Sequence, residues 1–252
     1  MNEPANESGG SDVVVSARGL RVERGHAVLL RDVDVDAKAG EVLGVLGPSG
    51  AGKSTLFRAL MGEEIPVAGE VRLRGEDVTR WPLWRRARAG MGYVPQGPSV
   101  LFDLTVRENL ETFAELAGVK GKAKKMADRV SLGDRLGVRA GQLSAGERRR
   151  LEMARALVTG PNVLVCDEPF AGVDPVGATH LAGLLRGLAD EGVAVVLADH
   201  HVAEALRICD RAALLLDGEI AVEDEPSAFE AHPLVQGRYL GTWTRSIPPP
   251  AP

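Results

Sequence analysis

The chain has 252 residues, 44% hydrophobic and 26% charged, a composition of folded globular proteins large enough to bury a core without disulfides or structural metals. A net charge of -5 and a pI near 5.6 give no electrostatic footprint for nucleic acid, and no apolar run approaches the roughly 18 residues of a membrane-crossing helix. The two cysteines, Cys166 and Cys209, fit free thiols in a reducing cytosol, and the polar start of the chain lacks the apolar stretch of a secretory signal.

In chain order, residues 1–12, rich in Asn, Glu, Ser and Gly, read as a disordered N-terminus, and 242–252 as a flexible Pro-rich tail, leaving 13–241 as the folded domain. Val13 to Val22 and Val28 to Val35 alternate partially and read as strands of a small antiparallel layer, which Glu70 to Arg74 joins. Between them Glu41 to Leu46, dense in Val and Leu, has the length and composition of a strand buried on both faces. It runs into Gly47-Pro48-Ser49-Gly50-Ala51-Gly52-Lys53-Ser54-Thr55, after which Leu56, Phe57, Leu60 and Met61 recur at helical spacing. Trp81 to Ala89 reads as a short basic helix and Gly90 to Pro95 as a second buried strand. Thr105 to Glu108 has the T-x-x-E form of a capping box, and helical text continues to about Gly160, which makes an inserted helical subdomain over about 98–160. Strand-like runs return at Asn162–Cys166, Val193–Ala198 and Ala212–Leu216, separated by helix-length segments, so the core is α/β with a parallel sheet.

Four stretches carry chemistry. The glycine-rich run fits G-x-x-x-x-G-K-[ST] between a strand and a helix, a context in which backbone N–H groups and a helix N-terminus stabilise nucleotide phosphates. Lys53 would reach the β- and γ-phosphates, and the Ser54 hydroxyl would ligate Mg²⁺. The strand Asn162–Cys166 ends in Asp167-Glu168, two carboxylates at the sheet edge where open α/β proteins bind ligands; Asp167 would hold Mg²⁺ and Glu168 would polarise the attacking water. Leu143-Ser144-Ala145-Gly146-Glu147 opens a helix with an S-x-x-E capping box, and the small residues beside Ser144 let backbone approach a second anion. Two such sites far apart in one chain do not easily wrap one nucleotide, so the second is expected to serve a partner subunit. Ala198-Asp199-His200-His201 follows another strand at the same edge, where a histidine can meet the γ-phosphate and orient Glu168.

In this order, the phosphate loop, Gln96, Leu143–Glu147, Asp167-Glu168 and the late histidine closely resemble the ATPase subunits of ABC transporters across about residues 13–220. The resemblance implies a P-loop NTPase core of RecA-like type and ATP with Mg²⁺ as substrate and cofactor. It also implies a head-to-tail homodimer with two ATP molecules, each between the phosphate loop of one subunit and Ser144 and Gly146 of the other. Gln96 would sense metal and water and couple them to the helical subdomain, His200 would be the switch histidine with Glu204 four residues on and His201 as runner-up, and Asp174 would cross the dimer interface. Pro82-Leu83, Arg86-Ala87-Arg88, Gly146 to Arg150, the run Asp167 to Pro175 and Tyr239-Leu240-Gly241 are most similar to the lipopolysaccharide-export branch, with branched-chain amino-acid importers the nearest rival.

Two positions depart from the family pattern. Ala145 stands where Gly is usual, and the aromatic that stacks on adenine is missing, with Arg24 or His26 in its region. The expected protein is an ATP-hydrolysing subunit on the cytoplasmic face of the inner membrane, docked to integral membrane partners through the apolar stretch Ser99 to Leu104. A soluble ABC protein of ribosomes or DNA repair would carry duplicated ATPase domains or a long coiled-coil insertion, and a GTPase an N-K-x-D motif; the sequence has none of these.

Overall fold

The computed structural model describes residues 12–119 and 121–241. The segments read as a disordered N-terminus and Pro-rich tail lie outside the described residues, apart from Asp12.

Two sheets form the frame. The larger has strand order β10-β9-β3-β8-β7-β6, built from β3 (Val42–Leu46), β6 (Met91–Val94), β7 (Val163–Asp167), β8 (Ala194–Ala198), β9 (Arg211–Leu216) and β10 (Glu219–Asp224). Its first five members in chain order are mutually parallel, as the alternation of strand and helix predicts. The sixth, β10, is antiparallel and was not legible from periodicity, because three of its six residues are acidic. Its signal is Asp217-Gly218, whose φ values of 49° and 84° make the tight turn of a hairpin after β9. The smaller sheet, β2-β1-β4-β5, is antiparallel and consists of β1 (Val13–Arg24), β2 (Ala27–Lys38), β4 (Ala68–Leu73) and the two-residue β5 (Glu76–Asp77).

Alternation along the central strands divides the core in two. Leu43, Val45, Val163, Val165 and Val196 face helix α1 (Lys53–Met61), whose Leu56, Phe57 and Leu60 pack under the small sheet. Val42, Leu46, Leu164, Cys166 and Leu197 face the opposite cluster, shared by α5 (Ala145–Leu157) and α6 (Pro175–Asp190). Helix α1 is closed at its C-terminus by Arg86 from α2 (Leu83–Arg88), fully buried, donating to the carbonyls of Ala59, Leu60, Thr79 and Trp81; burial lowers its pKa to about 10. Both cysteines are buried free thiols pushed up to about 12 by desolvation, and so inert.

The inserted helices are α3 (Val106–Leu116), α4 (Ala123–Arg129) and α5. The Thr105 box is closed both ways: its hydroxyl accepts from the Glu108 amide at 3.2 Å and the Glu108 carboxylate from the Thr105 amide at 2.7 Å. After β8 come α7 (Val202–Leu206), the β9–β10 hairpin, and the short α8 (Pro226–Ala231) and α9 (Pro233–Val235), which periodicity did not assign. Among the described residues no helix is long and apolar enough to cross a membrane.

Candidate active site

Parallel strands end at one edge, and four of the five parallel strands each deliver one part of the site there. β3 delivers the phosphate loop, β6 delivers Gln96, β7 delivers Asp167 and Glu168, and β8 delivers His200. Ser49, Gly50, Gly52, Lys53, Ser54, Thr55, Gln96, Glu168 and His200 line one open cleft with Leu29 as its apolar wall.

The loop's geometry demands its glycines. Gly47 has φ 153°, and a Cβ there would lie 2.2 Å from the Leu215 carbonyl oxygen; Gly52 has φ 112° with Leu30 and Leu29 in the way of any side chain. Pro48 and Ala51 close the turn, the Ala51 amide donating to Pro48 O at 3.2 Å. The amides of Lys53, Ser54 and Thr55 open α1, where a helix has no internal partners for its first N–H groups. The Lys53 ammonium donates to the Gly47 and Pro48 carbonyls at 2.6 and 2.9 Å. Its pKa is lowered by burial, against the pull of Glu168, Asp167 and Asp199.

The residues present fit Mg²⁺. Asp167 is 2% exposed and bonded to the Ser54 side chain, so a carboxylate and a hydroxyl, both hard oxygen donors, meet beside the phosphate loop. Burial raises the Asp167 pKa, and the Ser54 bond opposes that shift. Among the described residues no group of three or more His, Cys, Asp or Glu is arranged to hold a metal ion by itself; Mg²⁺ characteristically takes one or two protein ligands, the rest being phosphate and water.

Glu168 is the meeting point. Its Oε1 accepts from Gln96 Nε2 at 2.8 Å and stands 3.0 Å from His200 Nε2. Its backbone sits at φ 54°, a left-handed conformation costly for a residue with a Cβ, of order 1–3 kcal/mol. The surroundings hold it there: its amide donates to Ala198 O at 2.7 Å, and its carbonyl accepts from Arg149 Nη2 at 2.7 Å. Of the two adjacent histidines, His200 turns to Glu168 while His201 Nδ1 turns to Asp199 at 2.7 Å.

A second group lies apart from this cleft. Ser144 caps α5 in a reciprocal box with Glu147 and is exposed, as is Ala145. Asp174 caps α6 by accepting from Val176 and Gly177 amides, and its carboxylate flanks Gly146: a Cβ on that glycine would lie 3.9 Å from Asp174 Oδ2. Neither Arg24 nor His26 lines the phosphate cleft; Arg24 is paired with Glu64 at 2.5 Å, and His26 is exposed in the β1–β2 turn.

Two residues that sequence reasoning passed over tie the site together. Arg149, 5% exposed, donates to the carbonyls of Pro95, Asp167, Glu168 and Pro169 and pairs with Glu152 at 2.8 Å. Helical phase was its signal, since Arg149 lies three and four residues before Glu152 and Met153, which are also buried. Asp199, 1% exposed, joins the loops after β7 and β8.

Comparison with known proteins agrees with this geometry. The ABC transporter family model matches residues 30–171. A probable ABC transporter ATP-binding protein of Azorhizobium caulinodans is 38% identical over 245 residues, covering 95% of this chain and 86% of that protein. The lipopolysaccharide export system ATP-binding protein LptB of Acidithiobacillus ferridurans is 36% identical over 233 residues, covering 90% and 97%. Among solved structures, the ADP conformation of MJ1267, an ATP-binding cassette of an ABC transporter, has a TM-score of 0.83 at 26% identity over 91% of this chain and 99% of that one. The dimeric post-hydrolysis state of the cassette MJ0796, bound to ADP and Pi, has a TM-score of 0.74 at 27% identity over 84% and 98%. The chain therefore belongs to the ABC transporter family, as an ATP-hydrolysing, nucleotide-binding subunit.

Proposed function

We propose that this ATPase powers export of an envelope lipid of the lipopolysaccharide type, working as a head-to-tail homodimer on the cytoplasmic face of the inner membrane, docked to integral membrane subunits. The relative named for lipopolysaccharide export supports the cargo class, and the dimeric cassette supports the pairing.

The observation that carries the chemistry is the shared Glu168 Oε1, bonded to Gln96 and 3.0 Å from His200 at the mouth of the phosphate loop. Glu168 polarises the attacking water, while Gln96 and His200 fix the direction of its carboxylate. Lys53 and the opening amides of α1 take up phosphate charge, and Ser54 and Asp167, with Gln96, would hold Mg²⁺. When bound, the metal neutralises charge on the phosphate oxygens. Ser144, Gly146 and Asp174 face the nucleotide of the partner subunit; their separation from the cleft of their own chain supports that division. Isolating the ATPase from its own membranes and identifying the integral protein that travels with it tests the assignment. A permease that extracts envelope lipid supports it, and an amino-acid permease would overturn it.

An apolar groove between the core and the inserted helices, walled by Met61, Leu83, Tyr93 and Phe113 and reaching Ser99, suits a short helix of that partner. Beside it Val100 is buried and pins the junction, whereas Leu101 and Phe102 are 39% and 48% exposed. Leu101→Ala and Phe102→Ala are expected to weaken co-purification with the membrane partner while moving the melting temperature by less than about 2 °C, as for surface changes of about 0.5 kcal/mol. A fall of many degrees would show that these exposed side chains anchor the junction, and unchanged co-purification would place the docking site elsewhere.

The missing aromatic predicts weak reading of the base. Losing a stacking contact of order 1 kcal/mol leaves ATP and GTP within about tenfold of each other in competitive binding. A preference for ATP above about a hundredfold, some 2.7 kcal/mol, would show that another group reads the base.

A further inference from the structure

We propose that Asp199 is a positioning residue for hydrolysis, a buried carboxylate that locks the Glu168 loop to the His200 loop so that the two side chains converge. The inference rests on the reading of Glu168 as the residue that polarises water. Asp199 follows β8 directly and is 1% exposed. Its two oxygens serve different loops. Oδ1 accepts from the His201 amide at 2.8 Å and lies 2.7 Å from His201 Nδ1, whereas Oδ2 accepts from the Phe170 amide at 2.8 Å, twenty-nine residues away in sequence.

The Oδ1 bonds alone would be an ordinary local turn, in which an Asp side chain caps the amide two residues on. The bond to Phe170 lies outside that turn. It holds the segment just after Glu168, whose side chain Phe170 is itself fully buried, and it acts beside the Glu168 amide bond to Ala198 O. Glu168 and His200 are thus each flanked by an atom fixed to Asp199: Phe170 N two residues after Glu168, and His201 N one residue after His200. A carboxylate this deeply buried costs free energy unless its lone pairs are used, and here both oxygens accept bonds. The strained backbone of Glu168 requires such restraint to persist.

Asp199→Asn removes the bridge with little change in volume, because one oxygen becomes an NH₂ that cannot accept from an amide. Asp199→Ser is a second variant: its hydroxyl can still accept from the His201 amide in the local turn but is too short to reach Phe170. Single-turnover hydrolysis of labelled ATP by the full chain, in a cycle with Glu168→Gln, gives the decisive measurement. On the Glu168 background both Asp199 variants are expected to slow hydrolysis about ten- to a hundredfold, the size of a small misplacement of a reacting group. On the Glu168→Gln background the same variants are expected to cost less than about threefold, since there is no carboxylate left to aim. Binding of a fluorescent ATP analogue is expected to stay within about threefold throughout. Equal losses on both backgrounds, losses below about threefold on the Glu168 background, or parallel falls in nucleotide affinity and melting temperature would overturn the positioning role. Near-normal hydrolysis by Glu168→Gln itself would instead overturn the reading of Glu168, and the inference with it.

Discussion

Glu168→Gln is expected to bind ATP normally and to hydrolyse it roughly a hundred- to ten-thousandfold more slowly, the range for loss of a positioned general base. The amide keeps the shape of the carboxylate and can still accept from Gln96, so the cleft does not collapse. The groups proposed to take up phosphate charge, Lys53 and the opening amides of α1, keep their places, because the Gly47 and Pro48 carbonyls, not the Glu168 side chain, hold the Lys53 ammonium. What is lost is the negative charge on the oxygen that Gln96 and His200 share, and with it the proposed means of taking a proton from water. The loss therefore falls on turnover and leaves binding in place. In the proposed two-site dimer, blocked hydrolysis leaves the ATP-bound pair populated, so the variant should elute as a dimer in ATP and as a monomer without it. Near-normal turnover in a steady-state phosphate-release assay would sink the assignment.

The half of the site that is contiguous in sequence was legible because one short stretch carries its whole physical reason. Gly47 to Thr55 specifies a turn, a set of donors and a helix start, and each can be read without knowing the fold. The same holds for Asp167-Glu168, where an apolar run of five residues ending in two carboxylates has one sensible place in a parallel sheet. Which of His200 and His201 faces the site was not settled by residue type, since adjacent residues after a strand diverge; the Asp199 carboxylate holds the second one away. Strand β10 escaped because its charges mask alternation, although the Asp217-Gly218 turn announced a hairpin. Arg149 escaped for a different reason. In a run of three arginines the middle one looks like another solvated charge, and its partners lie up to 54 residues away.

Those partners make Arg149→Ala the substitution with the largest expected effect on stability. The guanidinium fills a buried position with five donors in a fixed fork, and four backbone carbonyls plus the Glu152 carboxylate use them. Removing one member of a buried, hydrogen-bonded charge pair costs about 3–5 kcal/mol, because the other partners stay buried without it. Glu152 keeps its bond from the Ser99 amide at 2.7 Å, which favours the lower part of that range. For a chain of this size the cost is about 6–20 °C in melting temperature. The consequences reach the chemistry as well. Arg149 on α5 binds the carbonyls of Pro95, next to Gln96, and of Asp167 and Glu168, so the helix capped by Ser144 is bonded directly to both arms of the candidate site. Its loss releases the strained Glu168 backbone, and hydrolysis is expected to fall even at temperatures where the variant remains folded. Arg149→Lys keeps the charge near Glu152, but a single ammonium cannot span four carbonyls, so partial recovery of melting temperature with little recovery of turnover is expected. Thermal unfolding followed by circular dichroism, alongside ATPase rates measured well below the transition, separates the two effects. A melting temperature within about 2 °C of the parent for Arg149→Ala, under 1 kcal/mol, would show that water replaces the guanidinium at little cost.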